Sequence, residues 1–177
     1  EQKAQRVVER LHDLTTQLGV RPPVYLVTAR SDQLPGFLPY FGALSHEERT
    51  QAWGATLTAK QQEDPAGAFA TESQLLYRAL DTRRLARLAA VDAAERNAVY
   101  EFPLAFQQLC YHLRGFVEEL CRVPAAYEGL PLRGFYFTGV AQPAGAELRH
   151  SYFCTGLFSY VFWRDQGVTQ PTVRADR

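Results

Sequence analysis

The side chains able to do metal or nucleophilic chemistry are few and far apart. The four histidines, His12, His46, His112 and His150, show no H-x-x-x-H spacing, and the three cysteines, Cys110, Cys121 and Cys154, form no C-x-x-C. A metal site needs convergent ligands, so these residues read as solvated or packed side chains. No cysteine follows a glycine-rich elbow or opens a helix, the settings that lower a thiol pKa. Packed thiols are the expectation. The neighbouring carboxylates Glu47-Glu48 and Glu118-Glu119 splay apart on a helix. Arg83, Arg84 and Arg87, flanked by Asp81, read as an exposed helix face rather than a phosphate site. A phosphate-cradling loop of the form G-x-x-x-x-G-K-S/T would be the strongest signal, and no Gly-Lys pair occurs anywhere.

One loop does carry a specific hint. Ala29-Arg30-Ser31-Asp32 follows directly on the apolar run Val24–Thr28. An Asn/Thr-Lys-x-Asp placed after a buried strand reads a guanine base: the carboxylate accepts two ring donors while the cationic stem stacks on the ring. Here Ala29 replaces the polar first residue, and Arg30 offers a planar guanidinium in place of the lysine. The bland alternative is an aspartate capping a turn.

These residues must be held by elements whose periods are legible. Val7, Leu11, Leu14 and Leu18 recur at helical spacing, and Gly19 supplies the stop. After Arg21-Pro22-Pro23, Val24–Thr28 is continuous, β-branched and aromatic, which predicts a parallel strand buried on both faces. Ser45-His46-Glu47-Glu48 is a capping box opening a short helix through Arg49 and Trp53. Residues 60–67 read as a loop and 69–90 as a long helix. Asp92 with Glu95 caps another helix ending near Tyr100, where Phe102-Pro103 interrupts. Phe106, Leu109, Leu113, Phe116 and Leu120 mark an amphipathic helix. A loop over 124–131 precedes a second buried strand, Phe135–Thr138, and a flexible stretch leads to the aromatic segment 151–163. Two strands are too few for an independent sheet. Either this chain completes a sheet begun upstream, or helices cover a minimal one.

Composition narrows the class. At 177 residues the chain makes about one domain, and 46% hydrophobic residues supply its core. With 19 Lys and Arg against 19 Asp and Glu there is no basic footprint for nucleic acid or anionic membrane. An odd, scattered cysteine set suits a reducing compartment. The longest apolar stretch, 151–163, is shorter than the roughly 20 residues of a membrane span. No methionine occurs, even at the start, as expected of an excised piece of a longer protein.

Ordered motifs then point to a family. Pro23-Val24-Tyr25-Leu26, Asp32, Leu34, Gly36-Phe37, Phe41, Glu48-Arg49, Gln51 and Trp53-Gly54 resemble a segment of the TssM/IcmF family, the inner-membrane component of bacterial type VI secretion systems. Tyr100-Glu101-Phe102-Pro103 and Leu132-Arg133-Gly134-Phe135-Tyr136-Phe137-Thr138 with Gln142 resemble later motifs of the same family. So do Ser151-Tyr152-Phe153, Leu157-Phe158 and Val161-Phe162, and the agreement spans about residues 1–165. The family's Thr-Lys-x-Asp has become Ala29-Arg30-Ser31-Asp32, and its hydroxyl-rich loop has become Thr138-Gly139-Val140-Ala141-Gln142.

The resemblance implies a helix-rich α/β fold: the C-terminal part of a P-loop NTPase-like sheet, with about two parallel strands and an inserted helical-bundle extension. The implied division is 1–65 for the NTPase-like part, 66–131 for the extension, 132–142 for the returning strand and 151–165 for a packed C-terminal helix. It implies a structural and interaction module on the cytoplasmic face of the bacterial inner membrane, docking baseplate and sister subunits. Membrane attachment would come only through segments outside this chain. The alternative is the base-binding half of a GTPase or ATPase whose phosphate loop lies upstream. Asp32, Arg30 and Gly139 are the candidate base-binding residues; Trp53, Phe102 and Pro103 are structural. No cofactor is expected in this chain, and GTP or ATP with Mg²⁺ would need the missing half.

Overall fold

The chain reverses sharply at Gly19, where a left-handed φ of 65° ends the first helix, α1 (Gln2–Leu18). The computed structural model describes residues 2–122, 132–143, 145–163 and 170–171, and the loop expected over 124–131 lies outside them. After α1 come β1 (Val20–Arg21) and β2 (Val24–Thr28), then two short helices, α2 (Phe37–Phe41) and α3 (His46–Thr50). The capping box forms as the sequence indicates: the Glu48 amide donates to Ser45 Oγ at 3.2 Å and the Ser45 amide to Glu48 Oε2 at 2.7 Å. Those bonds hold the Glu48 carboxyl below its ordinary pKa.

Strand β3 (Trp53–Thr56) is followed by two long helices, α4 (Pro65–Ala90) and α5 (Arg96–Cys121), and by β4 (Leu132–Phe137). Asp64 starts α4 by accepting from the Gly67 amide at 3.0 Å, with Pro65 at the first helical position. Strands β5 (Gly139–Ala141) and β6 (His150–Tyr152) form an antiparallel hairpin. A π-helical segment, Leu157–Phe162, follows, and β7 (Gln170–Pro171) pairs antiparallel with β1.

The main sheet has the order β2-β4-β3. β2 and β4 are parallel, with Leu26 opposite Phe135 and Thr28 opposite Phe137. The connection between them is the crossover that parallel strands require. β3 pairs antiparallel to β4, with Trp53 opposite Phe137. The fold is therefore helix-rich α/β with small mixed sheets. β4 is central, and its Leu132, Phe135, Tyr136 and Phe137 are all buried. On one face Phe135 meets Phe69 of α4 at 4.5 Å, and Phe137 meets Phe106 of α5 at 4.9 Å. Sheet and long helices thus share one aromatic core.

Four expectations need correction. Trp53 does not continue the capped helix. Gln51 turns extended, at φ −65° and ψ 152°, so α3 stops at Thr50 and Trp53 opens β3. Its ring stacks on Phe106 at 4.9 Å and meets Phe137 and Phe41 at 5.1 and 5.2 Å. Secondly, Phe102-Pro103 does not interrupt a helix: α5 runs through Pro103 unbroken. Proline there forgoes one main-chain bond and costs about 3 kcal/mol. Burying Val99, Phe102 and Phe106, at roughly 1.5–3 kcal/mol each, outweighs that loss. The same correction covers the start of that helix, which Asp92 does not cap with its side chain; its carbonyl accepts from the Glu95 amide at 3.0 Å.

The third correction concerns β2, which is half-buried rather than covered on both faces, with Val27 40% exposed. β2 is an edge strand in this sheet, so one side of its ladder is open. The fourth concerns 151–163. Its first residues pair as β6, and Phe153 takes a left-handed φ of 62° before the π-helical turn begins. Tyr152, Phe153 and Leu157 pack inward, whereas Phe158, Tyr160 and Trp163 stay exposed, Trp163 to 66%. The segment docks by one side only.

Trp53→Ala should lower stability to urea by about 3–5 kcal/mol, because six aromatic neighbours cannot all close on the void. A loss under about 1 kcal/mol would remove Trp53 from the core's keystone position. Burial pushes the Cys110 thiol up to about 12 and, with Asp64 nearby, the Cys121 thiol up to about 11. Alkylation of the folded chain at pH about 8 should therefore reach Cys154 first and Cys110 only on unfolding, read by peptide mass mapping. Rapid native labelling of Cys110 is the contrary result.

Candidate functional site

The parallel strands β2 and β4 end at the same edge of the sheet, where ligands of open α/β sheets bind. Main-chain bonds clamp the two exits together. Thr138 donates to the Thr28 carbonyl at 3.0 Å, and Ser31 donates to the Thr138 carbonyl at 2.9 Å. The buried Ser31 hydroxyl adds a bond to the Thr28 carbonyl at 3.1 Å. Between them, Arg30 adopts the left-handed region at φ 61° and ψ 31°, which folds the chain into the 3₁₀ turn Ser31–Gln33.

That turn aims Asp32 at the loop after β4. Asp32 Oδ1 accepts from the Val140 amide at 3.0 Å. Gly139 permits the approach, since a Cβ there would lie 2.9 Å from Asp32 Oδ1 and 3.0 Å from its amide nitrogen. With the Gln33 amide oriented oxygen-first, its oxygen accepts from Arg30 Nε at 3.1 Å and also from a terminal guanidinium nitrogen. The Arg30 plane is therefore held beside the turn.

The result is a cleft of about 550 Å³ lined by Arg30, Asp32, Thr138, Gln142, Arg149 and Cys154 among others. The three residues singled out from sequence, Asp32, Arg30 and Gly139, meet here across more than a hundred residues of chain. Ala29 is part of the wall and offers no polar side chain. One carboxylate oxygen is engaged by Val140, so only the other is left without a partner among the described residues. The arrangement can accept one donor from a planar ligand edge and stack a guanidinium on its face. No lysine is among the described lining residues.

Sequence reasoning missed Arg149 and Cys154. The β5–β6 hairpin delivers them, and its strands of three residues are too short to show alternation. The other residues singled out lie elsewhere. Trp53, Phe102 and Pro103 are buried in the core. Arg84 pairs with Asp81 at 2.9 Å and lies over the Tyr100 ring at 4.5 Å, while Arg87 lies over Tyr40 at 6.0 Å. Glu118 pairs with Arg114 and Glu119 with Arg122 along the helix surface. Among the described residues, no three His, Cys, Asp or Glu side chains gather as a metal site would require.

Comparison with known proteins agrees with the motif resemblance. The whole chain, residues 1–177, matches the family described as the IcmF-related N-terminal domain. It is 33% identical over 202 residues to the type VI secretion system component TssM1 of Pseudomonas aeruginosa, covering 98% of this chain and 18% of that protein. The chain thus spans less than a fifth of that relative's length, and the relative carries insertions against it. No solved structure matches. Among the described residues no helix is long and apolar enough to cross a membrane. Match and motifs together settle the kinship: the chain belongs to the TssM/IcmF family, within its IcmF-related N-terminal domain.

Proposed function

We propose that this chain is a structural and interaction module of a type VI secretion membrane complex, docking baseplate and sister subunits on the cytoplasmic face of the bacterial inner membrane. The observation that carries the reading is the state of the cleft. Asp32 serves as a structural acceptor for Val140, and Ala29 adds no polar contact, so the geometry spends its base-reading residue on holding two loops together. Family membership supplies the setting, and attachment to the membrane is assigned to segments outside this chain. The fold is read as the C-terminal part of a P-loop NTPase-like sheet; the open edge of β2 is where further strands would add. α4 and α5 are the helical extension of that sheet.

A second reading is favoured by the meeting of Arg30, Asp32 and Gly139 in one cleft at the C-terminal ends of parallel strands. It makes the chain the base-binding half of a GTPase or ATPase, with nucleotide and Mg²⁺ held by a phosphate loop elsewhere. Nucleotide affinity comes mainly from main-chain amides and a lysine around the phosphates. Stacking plus one carboxylate oxygen, even at about −4 kcal/mol, gives only a millimolar Kd.

Titration calorimetry of this chain with GTP and Mg²⁺ should show no heat above dilution, with or without Asp32→Ala. The same substitution should lower stability by about 1 kcal/mol, because the Val140 amide loses its acceptor. A micromolar affinity abolished by Asp32→Ala would reinstate the enzymatic reading. The module reading is tested by co-purification with membrane-complex and baseplate subunits, which it requires. Normal assembly of the complex around a protein lacking this segment would sink it.

A further inference from the structure

We propose that the outer groove between α4 and α5 is a docking site for an amphipathic α-helix with acidic flanks, carried by another protein. The groove is about 590 Å³ and is walled by Ala70, Gln74 and Tyr77 of α4 against Gln108, Tyr111 and Arg114 of α5. It belongs to the helical hairpin and is separate from the Asp32 cleft.

The first support is an exposed stripe that no other element packs over along most of its length, with Arg84 lying over the Tyr100 ring at its start. Tyr100, Leu104, Gln108, Tyr111 and Gly115 follow one another at spacings of three and four, so they share one face of α5. All five are exposed, Tyr111 to 76%. The inward face of the same helix is filled by Val99, Phe102, Phe106, Cys110 and Val117. α5 therefore carries two apolar-bearing faces, and among the described residues only one is packed into the core. The outer stripe is about 22 Å long at 1.5 Å per residue, the length of a docked helix rather than of a small molecule.

Gly115 is the second, independent observation. Among helix formers only proline is worse than glycine. A Cβ at Gly115 would meet nothing within 4 Å, and the position needs no left-handed backbone. Nothing among the described residues explains the missing side chain. A partner backbone crossing closely at this point does, because small residues let helix axes approach.

Charge selects the partner. The groove and its extension along α4 are lined by Arg114, His112 and Arg78, and by no carboxylate. Arg114 shares its Nε with Glu118 at 2.8 Å, and Arg78 forms no ion pair among the described residues. Gln74, Gln107 and Gln108 add amides that make no hydrogen bond among the described residues. A helix with leucine at its seam and glutamate beside it matches both features. Helix α1 of a second copy does not: its exposed stripe, Val7, Leu14 and Leu18, is flanked by Lys3, Arg6 and Arg10 against Glu9 and Asp13.

The test uses this chain and two fluorescent peptides of about 21 residues, three heptads with leucine and alanine at the seam. One carries glutamate at the flanking positions and the other lysine. Anisotropy should show the glutamate peptide binding at least about tenfold more tightly. Tyr111→Glu and Gly115→Leu should each weaken it about tenfold or more. Leu148→Glu, an exposed apolar change in the β5–β6 hairpin connection, should not. Gly115→Ala should raise the thermal midpoint of the free chain, as helix propensity dictates, and identical circular dichroism should show that all variants fold. Equal binding of the two peptides, or full binding by Tyr111→Glu, overturns the proposal. So does self-association in sedimentation that Tyr111→Glu abolishes, since the occupant would then be a second copy. The partner's identity as a secretion subunit rests on the interaction-module reading, whereas the peptide assay does not. A chain that selects the glutamate peptide yet fails to co-purify with secretion subunits keeps the groove and loses that reading.

Discussion

Strand β4 is last among the strands of the main sheet in sequence and central in space, and this inversion constrains the rest of the molecule. To pair in parallel with β2, the chain must leave the sheet, travel through α4 and α5, and return. Closing so long a loop is entropically adverse and grows only slowly with length, so the two helices add little to the closure cost itself. What they add is burial. Phe69 from α4 and Phe102 and Phe106 from α5 are fully covered, and each lies against an aromatic ring of the sheet or of α2. The ladder and its aromatic cover are therefore one cooperative unit, in which neither half has a core without the other.

The cleft is a by-product of the same pairing. Two parallel strands that end in register must send their loops out at the same edge, and here the Thr28–Thr138 and Ser31–Thr138 bonds lock those exits together. Asp32 then has two jobs that compete for one carboxylate: holding the Val140 amide and facing the cleft. A loop serving recognition alone would keep both oxygens free. A loop serving structure alone would not need a left-handed arginine beside it, at a cost of order 1 kcal/mol. What the geometry serves first is the close approach of the two loops.

How much of this was legible depends on the range over which each residue is determined. The capping box at Ser45 and the stop at Gly19 were readable because their partners lie three or four residues away. The parallel pairing of the two apolar strands was readable because the long helical stretch between them supplies the crossover that parallel strands require. Trp53 was misread because a four-residue strand with two small residues has no period; only its cross-strand neighbour Phe137 defines it. Pro103 was misread because local propensity was weighed without the burial of Val99, Phe102 and Phe106 around it. In the cleft, Asp32 and Arg30 stood out through a local motif, whereas Arg149 and Cys154 arrive on a hairpin whose pairing leaves no mark in composition.

Exposure carries information that periodicity does not. A helical stripe in sequence says that one face is apolar, not which body covers it. On α5 the inward stripe is fully satisfied, yet Tyr100, Leu104 and Tyr111 remain outside, and on α1 the stripe itself is largely uncovered. Balanced charge, 19 against 19, provides no global field to steer association. Partner choice in such a molecule must then rest on local patches, where short-range charge pattern and apolar complementarity act together. The same aromatic-rich composition that closes the core around β4 also leaves apolar side chains on the outer faces of α1 and α5, and it is there that the proposed docking would have to act.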